Sequence, residues 1–326
     1  DVPERIGLEA LSVDQCLDEH LGTSVVPYEI REHPGQRRAW RIPAVAEAVR
    51  IRRALEQRLV AKMLDKDCGL TGGNENTTYF VSGGYTEQEG FIMNDNYSRS
   101  TIRINLQSKV NNWLTLGTNI FSSFADLSGS YPDIGNIALT SPLVSSKDEN
   151  GNYVVNHLGD QIVNPFLNAL ADDKDLRNNI SGNFFAIISI PHIKGLTYRI
   201  NYNNNLRWAY HAYSNKYDSG QSGAAYKQNS STYDTMLDNI FTYEKQLNDD
   251  HRLQVTLVAG YNKVNYESTK AGGENYSNLD LSYNSLQQGI IQTISSSAWK
   301  ESSIYQMGRL NYNFRNKYLL TTTLRR

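Results

Sequence analysis

The sequence contains little cysteine and no long apolar run. Cys16 and Cys68 are its two cysteines, and both precede residue 70. Two separated cysteines make no metal-binding motif, so we expect free thiols, with a disulfide as the alternative. No apolar run approaches the roughly 18 residues of a transmembrane helix. The net charge is −2, so the sequence lacks the basic surface expected of a nucleic-acid-binding protein.

The patterns of catalytic and metal centres are missing as well. The six histidines are scattered, without an H-x-x-x-H or H-E-x-x-H pair. Acidic residues at 148–149 and 172–175 do not match a calcium-binding EF-hand loop and are interpreted as solvated loop charge. No G-x-S-x-G nucleophile elbow occurs. We therefore predict a protein that is not an enzyme and that has no catalytic, cofactor-binding or metal-binding residues.

Residues 1–71 differ in composition from the rest and are predicted to form a separate, Arg-rich and partly helical segment. Its first 68 residues hold four of the eight prolines but only two aromatic residues. Apolar residues recur at helical spacing between Pro43 and Leu64, which predicts a short helix. This helix could bind a membrane surface or a partner, could be an ordinary solvated helix, or could be foreign to the remaining chain. No signal peptide precedes it, so we expect the natural start to be missing or replaced.

From residue 72 onward, apolar and polar residues alternate. Ile102, Ile104 and Leu106 alternate with polar residues, and 196–203, 253–261, 309–314 and 318–324 repeat the pattern. Because successive side chains of a strand point to opposite sides, each segment has one apolar and one polar face. Strands are predicted near 77–86, 97–109, 113–125, 177–190, 196–213, 231–246, 251–267, 301–314 and 317–326.

The predicted connections alternate between tight turns and long polar stretches. Tight turns are expected at 111–112, 191–195, 248–250 and 315–317, and long connections at 86–97, 125–177, 214–230 and 268–300. This rhythm is typical of an up-and-down transmembrane β-barrel. Aromatic residues beside the turns are typical of an interfacial girdle, although tyrosine also simply suits strands. These residues are Trp113, Tyr198, Tyr243, Phe314 and Tyr318.

Two groups of residues are candidates for contact with a ligand. The first follows the polar phase of the strands and is predicted to face the barrel lumen; it comprises Arg103, Asn105, Arg199, Asn201, Arg309 and Asn311. The second consists of Trp208, Tyr210 and Tyr213, whose rings could stack on a carbohydrate. These three aromatic residues could equally belong to an outer girdle.

Several segments resemble a known family. Residues 72–85, GGNENTTYFVSGGY, resemble the entry into the barrel of TonB-linked SusC/RagA outer-membrane proteins. Residues 97–105, YSRSTIRIN, and 113–119, WLTLGTN, resemble the next strands, and 305–324 resembles a later hairpin. The resemblance implies an all-β fold for 72–326: the N-terminal part of an antiparallel up-and-down transmembrane β-barrel, with about 9–10 of some 22 strands. The plug and the C-terminal strands are missing, so a fragment or a chimeric reading frame is expected.

The same resemblance implies a function in the outer membrane of a Bacteroidetes-type bacterium. The whole protein would import oligosaccharides or peptides, with a SusD-like surface lipoprotein above it, the TonB complex supplying energy and outer-membrane lipid around it. The alternative is a secreted or surface-attached soluble β-rich adhesion protein whose apolar strand faces pack together. An outer-membrane hydrolase would need a Ser/His/acid set, which the sequence does not offer.

Overall fold

The computed structural model describes residues 62–140, 145–155 and 163–326. Within them, ten antiparallel strands form one sheet in which every strand pairs with its neighbours along the chain. This order confirms the predicted all-β, up-and-down arrangement. The strands are β1 Lys62–Gly73, β2 Thr77–Glu89, β3 Asn96–Lys109, β4 Leu114–Asp126, β5 Asp172–Ser189, β6 Leu196–Asn215, β7 Ala224–Asn248, β8 His251–Tyr276, β9 Gly289–Phe314 and β10 Tyr318–Arg325.

Short helices occur only in the connections of the described part of the chain. The α-helices are α1 Ile134–Leu139 and α2 Asp218–Gln221, and the 3-10 helices are Pro165–Leu170, Ser282–Asn284 and Leu286–Gln288. In the part of the chain that the structure describes, no helix has the length and apolar character needed to cross a bilayer.

The two ends of the sheet differ in the length of their connections. At one end, here called the turn end, the strands are joined by residues 74–76, 110–113, 190–195, 249–250 and 315–317. At the opposite end, the loop end, they are joined by 90–95, 127–171, 216–223 and 277–288. The predicted alternation of tight and longer connections is therefore confirmed.

Asparagine side chains explain why the turns are tight. Asn74 Oδ1 accepts hydrogen bonds from the backbone N–H of Asn76 and Thr77, at 2.9 and 2.8 Å. Asn111 Oδ1 does the same for Trp113 and for Leu114, the residue that opens β4, at 3.0 and 2.8 Å. Such local bonds imitate a backbone turn and fix where each strand ends. Gly195 completes another turn at φ +87°, where a Cβ atom would lie 2.0 Å from a backbone oxygen.

Strands β7, β8 and β9 extend further toward the loop end than predicted. The polar stretches predicted as connections at 214–230 and 268–300 shrink to 216–223 and 277–288. The added strand residues do not alternate between apolar and polar: Ser295-Ser296-Ser297 of β9 is polar on both faces, whereas Ile290 and Ile291 fall on opposite faces. Period-two alternation requires one apolar face, so it cannot mark such residues. Continuous pairing of β8 with β9 from His251 to Glu274 holds them in the sheet.

β1 corrects two predictions about the N-terminal segment. The helix predicted from Pro43 to Leu64 does not include residues 62–64, and the boundary predicted after residue 71 falls inside β1. All twelve residues of β1 pair with β2 in a hairpin, and this pairing overrides the weak helical pattern of the sequence. Residues 43–61 and Cys16 lie outside the described residues. Cys68 is an exposed free thiol.

The strand register separates two faces of the sheet. The apolar face carries Ile104, which lies opposite Val81 on one side and Ile120 on the other. The polar face carries Arg103 and Asn105. Large side chains exposed on the apolar face include Leu70, Val81, Ile102, Leu106, Leu116, Phe184, Leu206, Phe241, Leu257, Ile304, Leu320 and Leu324. Such a continuous exposed apolar surface is far larger than the patches of soluble monomers.

Aromatic side chains gather on the apolar face at the turn end. Tyr198 stacks on Phe241 with ring centroids 4.6 Å apart, and Phe314 stacks on Tyr318 at 6.2 Å. The register places Tyr243 on the same face, opposite Leu196 and Val255. Four of the five aromatics noted beside the turns therefore share one face and one end of the sheet. This is the position that an interfacial girdle requires.

Buried apolar side chains are few among the described residues, and most lie at the loop end. They are Leu167, Ala169, Phe185, Ala212 and Ala225. There, the connection 127–171 packs onto the sheet through Asn215 Nδ2, which donates to the backbone oxygen of Leu167 at 3.3 Å. The connection 277–288 contacts the apolar face, where Ser282 Oγ donates to Asp172 at 2.6 Å. The two connections thus hold the loop end between them, while no second sheet covers the apolar face of the described strands.

Candidate ligand-facing surface

All six residues predicted to face a lumen lie on the polar face. The register links Arg103 through Phe121 and Ser181 to Asn205, which shares its face with Arg199 and Asn201. Arg309 belongs to the same face, because a row of directly opposed residues joins it to β6. This row runs from Arg309 through Thr256 and Thr242 to Thr197. The six share a face but not a single site, because they are distributed from β3 to β9. Whether this face lines a lumen stays a prediction.

A row of four asparagines crosses the polar face from β3 to β6. Asn105, Asn119, Asn183 and Asn203 occupy directly opposed positions on successive strands. Asn183 Nδ2 donates to Asn203 Oδ1 at 2.5 Å, and Asn119 Nδ2 donates to Asn183 Oδ1 at 3.4 Å. Amide side chains both donate and accept hydrogen bonds, so the asparagines at the two ends of the row keep donors and acceptors that can bind a ligand. The sequence predicted Asn105 here but missed the other three.

Two strand glycines make space for aromatic rings on the polar face. A Cβ atom at Gly117 would lie 2.2 Å from the Phe185 ring, and one at Gly260 would lie 2.2 Å from the Tyr305 ring. The Arg199 guanidinium lies 4.5 Å from the centroid of Phe185 and donates to Asn201 Oδ1 at 2.7 Å. A cation over a ring face is attracted by the ring quadrupole. These contacts hold Arg199 against the wall of the sheet.

A concave pocket of about 500 Å³ opens beyond the asparagine row, toward the loop end. Arg207 and Asp234 form an ion pair in it, with Nη2 and Oδ2 2.9 Å apart. Asn205 Nδ2 donates to the same carboxylate oxygen at 3.2 Å. The other oxygen, Asp234 Oδ1, is buried and accepts no hydrogen bond from the described residues. An unmet acceptor of this kind costs about 1–3 kcal/mol.

An aromatic pair forms one wall of this pocket. Trp299 is 47% exposed and stacks on Tyr266, with ring centroids 5.5 Å apart and planes 22° apart. Both rings lie on the polar face, in the row that joins Thr232 to Trp299 through Tyr266. Trp299 lies in the stretch 268–300, which the sequence pattern predicted as a connection, so no ligand contact was expected of it.

A charged and aromatic cluster lies closer to the loop end of the polar face. His211 Nε2 is 2.8 Å from Asp173 Oδ1, and the Tyr226 ring stacks on Tyr213 at 5.4 Å. Lys270 Nζ lies 3.7 Å from the centroid of Tyr226. Burial, reinforced by the nearby carboxylate of Asp173, raises the pKa of Tyr226. Burial is also the main cause that raises the pKa of Tyr213. Both tyrosines therefore stay neutral at physiological pH.

The three aromatics predicted to stack on a ligand are not brought together. Trp208 and Tyr210 lie on the apolar face, opposite Asn178 and Leu176 of β5. Trp208 packs edge-on against Phe124, with ring centroids 6.2 Å apart. Tyr213 lies on the polar face, where its hydroxyl donates to Asn168 at 3.3 Å. Side chains at odd and even positions of one strand point to opposite faces of the sheet, so these three aromatic residues do not form one stacking surface.

No group of three or more His, Cys, Asp or Glu side chains within the described residues is arranged to hold a metal ion. The polar face offers amides, paired charges and ring faces. Such groups can bind and orient a polar ligand.

Comparison with known proteins identifies relatives of one kind. No family model matches the chain. It is 27% identical over 274 residues to TonB-dependent receptor P3 of Formosa agariphila, covering 79% of this chain and 27% of that protein. It is 26% identical over 275 residues to TonB-dependent receptor P26 of the same organism, covering 80% and 27%. The chain thus spans about a quarter of the length of these relatives.

Solved structures agree on the fold. The structure of the RagAB peptide transporter matches with a TM-score of 0.69 at 22% identity, covering 83% of this chain and 32% of that one. The RagAB peptide importer in the closed-closed state matches with a TM-score of 0.69 at 21% identity, covering 81% and 31%. The predicted resemblance to TonB-dependent receptors of the SusC/RagA type is confirmed, and the described sheet matches part of such a barrel.

Proposed function

We propose that this chain is part of the wall of a TonB-dependent importer in the bacterial outer membrane. The observation that carries the proposal is the exposed apolar face, which runs over ten strands opposite a polar face. Hydrocarbon on one side and water on the other would account for both. Side chains of the polar face, including Arg103, Arg199 and Arg309, would then line the lumen. An Arg on the lipid side would cost about 2–4 kcal/mol at the bilayer midplane.

The dimensions of the apolar face support this proposal. On β8, alternate apolar residues run from Leu253 to Tyr261, and Lys263, Asn265 and Glu267 follow on the same face. Nine residues per crossing agrees with the roughly 9–11 that a tilted strand needs. The polar residues beyond Tyr261 would project outside the bilayer, which explains why β8 is 26 residues long.

The proposed cargo of the whole protein is an oligosaccharide or a peptide. A SusD-like lipoprotein would cover the loop end, and the TonB complex would supply energy from the other side of the membrane. Support comes from the relatives, which are TonB-dependent receptors, and from the similarity to RagAB, which is a peptide transporter. The role is transport, not catalysis. About 22 strands would complete such a barrel. The soluble adhesion protein is not favoured, because no second sheet covers the apolar face of the described strands.

Membrane fractionation tests this proposal. Cells that produce the full chain should carry it in the outer-membrane fraction, where it resists urea washing and migrates faster on gels when unheated. Uptake of its cargo should stop when the inner-membrane proton gradient is collapsed. A chain that stays monomeric in detergent-free buffer would rule out the importer and favour the adhesion protein.

A further inference from the structure

We propose that the pocket between Arg207 and Trp299 is a binding subsite for a neutral, hydroxyl-rich oligomer such as an oligosaccharide. This inference rests on the proposed importer function and narrows its cargo. The pocket is defined here by Asn203, Asn205, Arg207, Asp234, Asn262 and Trp299, all of which line it on the polar face.

The polar groups of the pocket offer both donors and acceptors at short range. Arg207 uses Nη2 for Asp234, and a guanidinium has five N–H donors in all. Asn203 accepts from Asn183 through Oδ1 and keeps its NH₂ for another partner. Asn205 donates to Asp234 and keeps its Oδ1. Hydroxyl groups can satisfy both kinds of partner, because each donates one hydrogen bond and accepts others.

The charge balance favours a neutral ligand over a charged one. Asp234 is compensated by Arg207 at 2.9 Å, so the two charged residues of the pocket have no net charge. A ligand ammonium group near Asp234 would be repelled by the Arg207 guanidinium beside it, and a ligand carboxylate near Arg207 would be repelled by Asp234. A neutral hydroxyl can donate toward Asp234, whose Oδ1 lacks a partner among the described residues, without either repulsion.

The aromatic wall supplies the complementary apolar contact. The exposed face of Trp299 is held in place by its stack on Tyr266, so it can receive a flat C–H surface without further ordering. A sugar ring presents such a surface together with hydroxyls at its rim. An extended peptide would instead need separate pockets for its side chains or a free strand edge. This pocket, in which Met236 and Val264 lie among asparagines, offers neither.

The position and width of the pocket fit an oligomer at the entrance of the proposed lumen. Arg207 and Trp299 occupy one row, separated by three strand spacings through Thr232 and Tyr266. Three spacings amount to about 14 Å before the sheet curves, which exceeds a single sugar ring. Lys263 and Asn265 of β8 occupy the opposite face of the sheet at this level, where Leu206 and Trp208 of β6 flank Arg207, so the pocket lies at the loop-side margin of the apolar band.

Ligand titration of the full chain in detergent tests the subsite. The probes are cellohexaose, laminarihexaose, mannohexaose and xylohexaose, compared with an uncharged hexapeptide, and the readout is calorimetry. We expect at least one hexasaccharide to bind and Trp299→Ala to weaken its affinity roughly tenfold, the size of a lost ring contact. Arg207→Gln should weaken it by a similar factor. Heat-dependent gel mobility verifies that each variant is folded.

Matched controls lie at the turn end of the sheet. Trp113→Ala removes an equally exposed tryptophan, 45% exposed, and Arg315→Gln breaks the ion pair with Asp250 at 3.0 Å; both should leave affinity unchanged. Binding of none of the hexasaccharides, binding of the peptide alone, or affinity insensitive to Trp299→Ala would overturn the subsite. The importer proposal would survive each of these results, since it is tested by outer-membrane assembly and gradient-dependent uptake, neither of which depends on this pocket.

Discussion

A single arginine placed on either face of β3 tests the assignment of the two faces. Ile104 lies in a row of aliphatic residues across four strands, with Leu70, Val81 and Ile120. Its neighbour Asn105 points to the polar face. If the apolar row meets lipid near the midplane, Ile104→Arg should cost about 2–4 kcal/mol of folding free energy. Asn105→Arg, on the water side, should cost far less.

The expected difference is large enough to measure by assembly and by unfolding. A loss of 2–4 kcal/mol corresponds to roughly a 30- to 700-fold change in the folding equilibrium. Urea unfolding in lipid vesicles measures it, and the folded fraction in outer membranes provides a check in cells. If Asn105→Arg proved the more damaging substitution, or if both were tolerated equally, the assignment of the faces would be wrong. Dependence of the wild-type fold on lipid or detergent separates this outcome from burial in a soluble core.

Two further predictions concern the polar face. Gly260→Ala should destabilise the chain by about 1–3 kcal/mol through overpacking, because the added Cβ would lie 2.2 Å from the Tyr305 ring. Gly83→Ala is the control, since its Cβ would have one neighbour within 4 Å, at 3.8 Å. Equal unfolding midpoints for the two variants would show that the Tyr305 ring does not pack tightly on Gly260. The raised pKa of Tyr226 means that its neutral form stabilises the fold at pH below about 10, and that this contribution is lost as pH rises through the folded-state pKa. Ultraviolet titration should therefore show late tyrosine ionisation that Tyr226→Phe reduces by one group, and an unchanged titration curve would refute it.

The sequence predicted the strands best where one face is apolar. In β3, the alternation of Ile102, Ile104 and Leu106 with polar residues predicted the strand and its two faces. Turn asparagines such as Asn111 marked where strands end, because their side chains bond to the local backbone. In β9, by contrast, apolar and polar residues do not alternate over 289–300, where Ile290 falls on one face and Ile291 and Trp299 on the other, and only pairing with β8 reveals a strand. β1 was missed for the same reason.

The candidate site was less accessible from sequence than the fold. Alternation correctly placed Arg103, Arg199 and Arg309 on one face, since the parity of a strand position determines its side. The same rule puts Trp208, at an even position, and Tyr213, at an odd position, on opposite faces. The prediction that these aromatic residues stack on one ligand did not take this into account. The sequence could not indicate that Trp299 approaches Arg207, because residues 92 positions apart meet only through the register of four strands.

The order of residues along the chain was enough to predict that strands alternate in polarity, that their connections alternate in length, and which family the chain resembles. These properties are local, because they follow from side-chain direction and from turn residues within a few positions. Tertiary structure alone decided the number of strands, the row of asparagines and the pocket beside Trp299. Each of these depends on which residues of different strands lie opposite one another, and that register is set by pairing across the sheet.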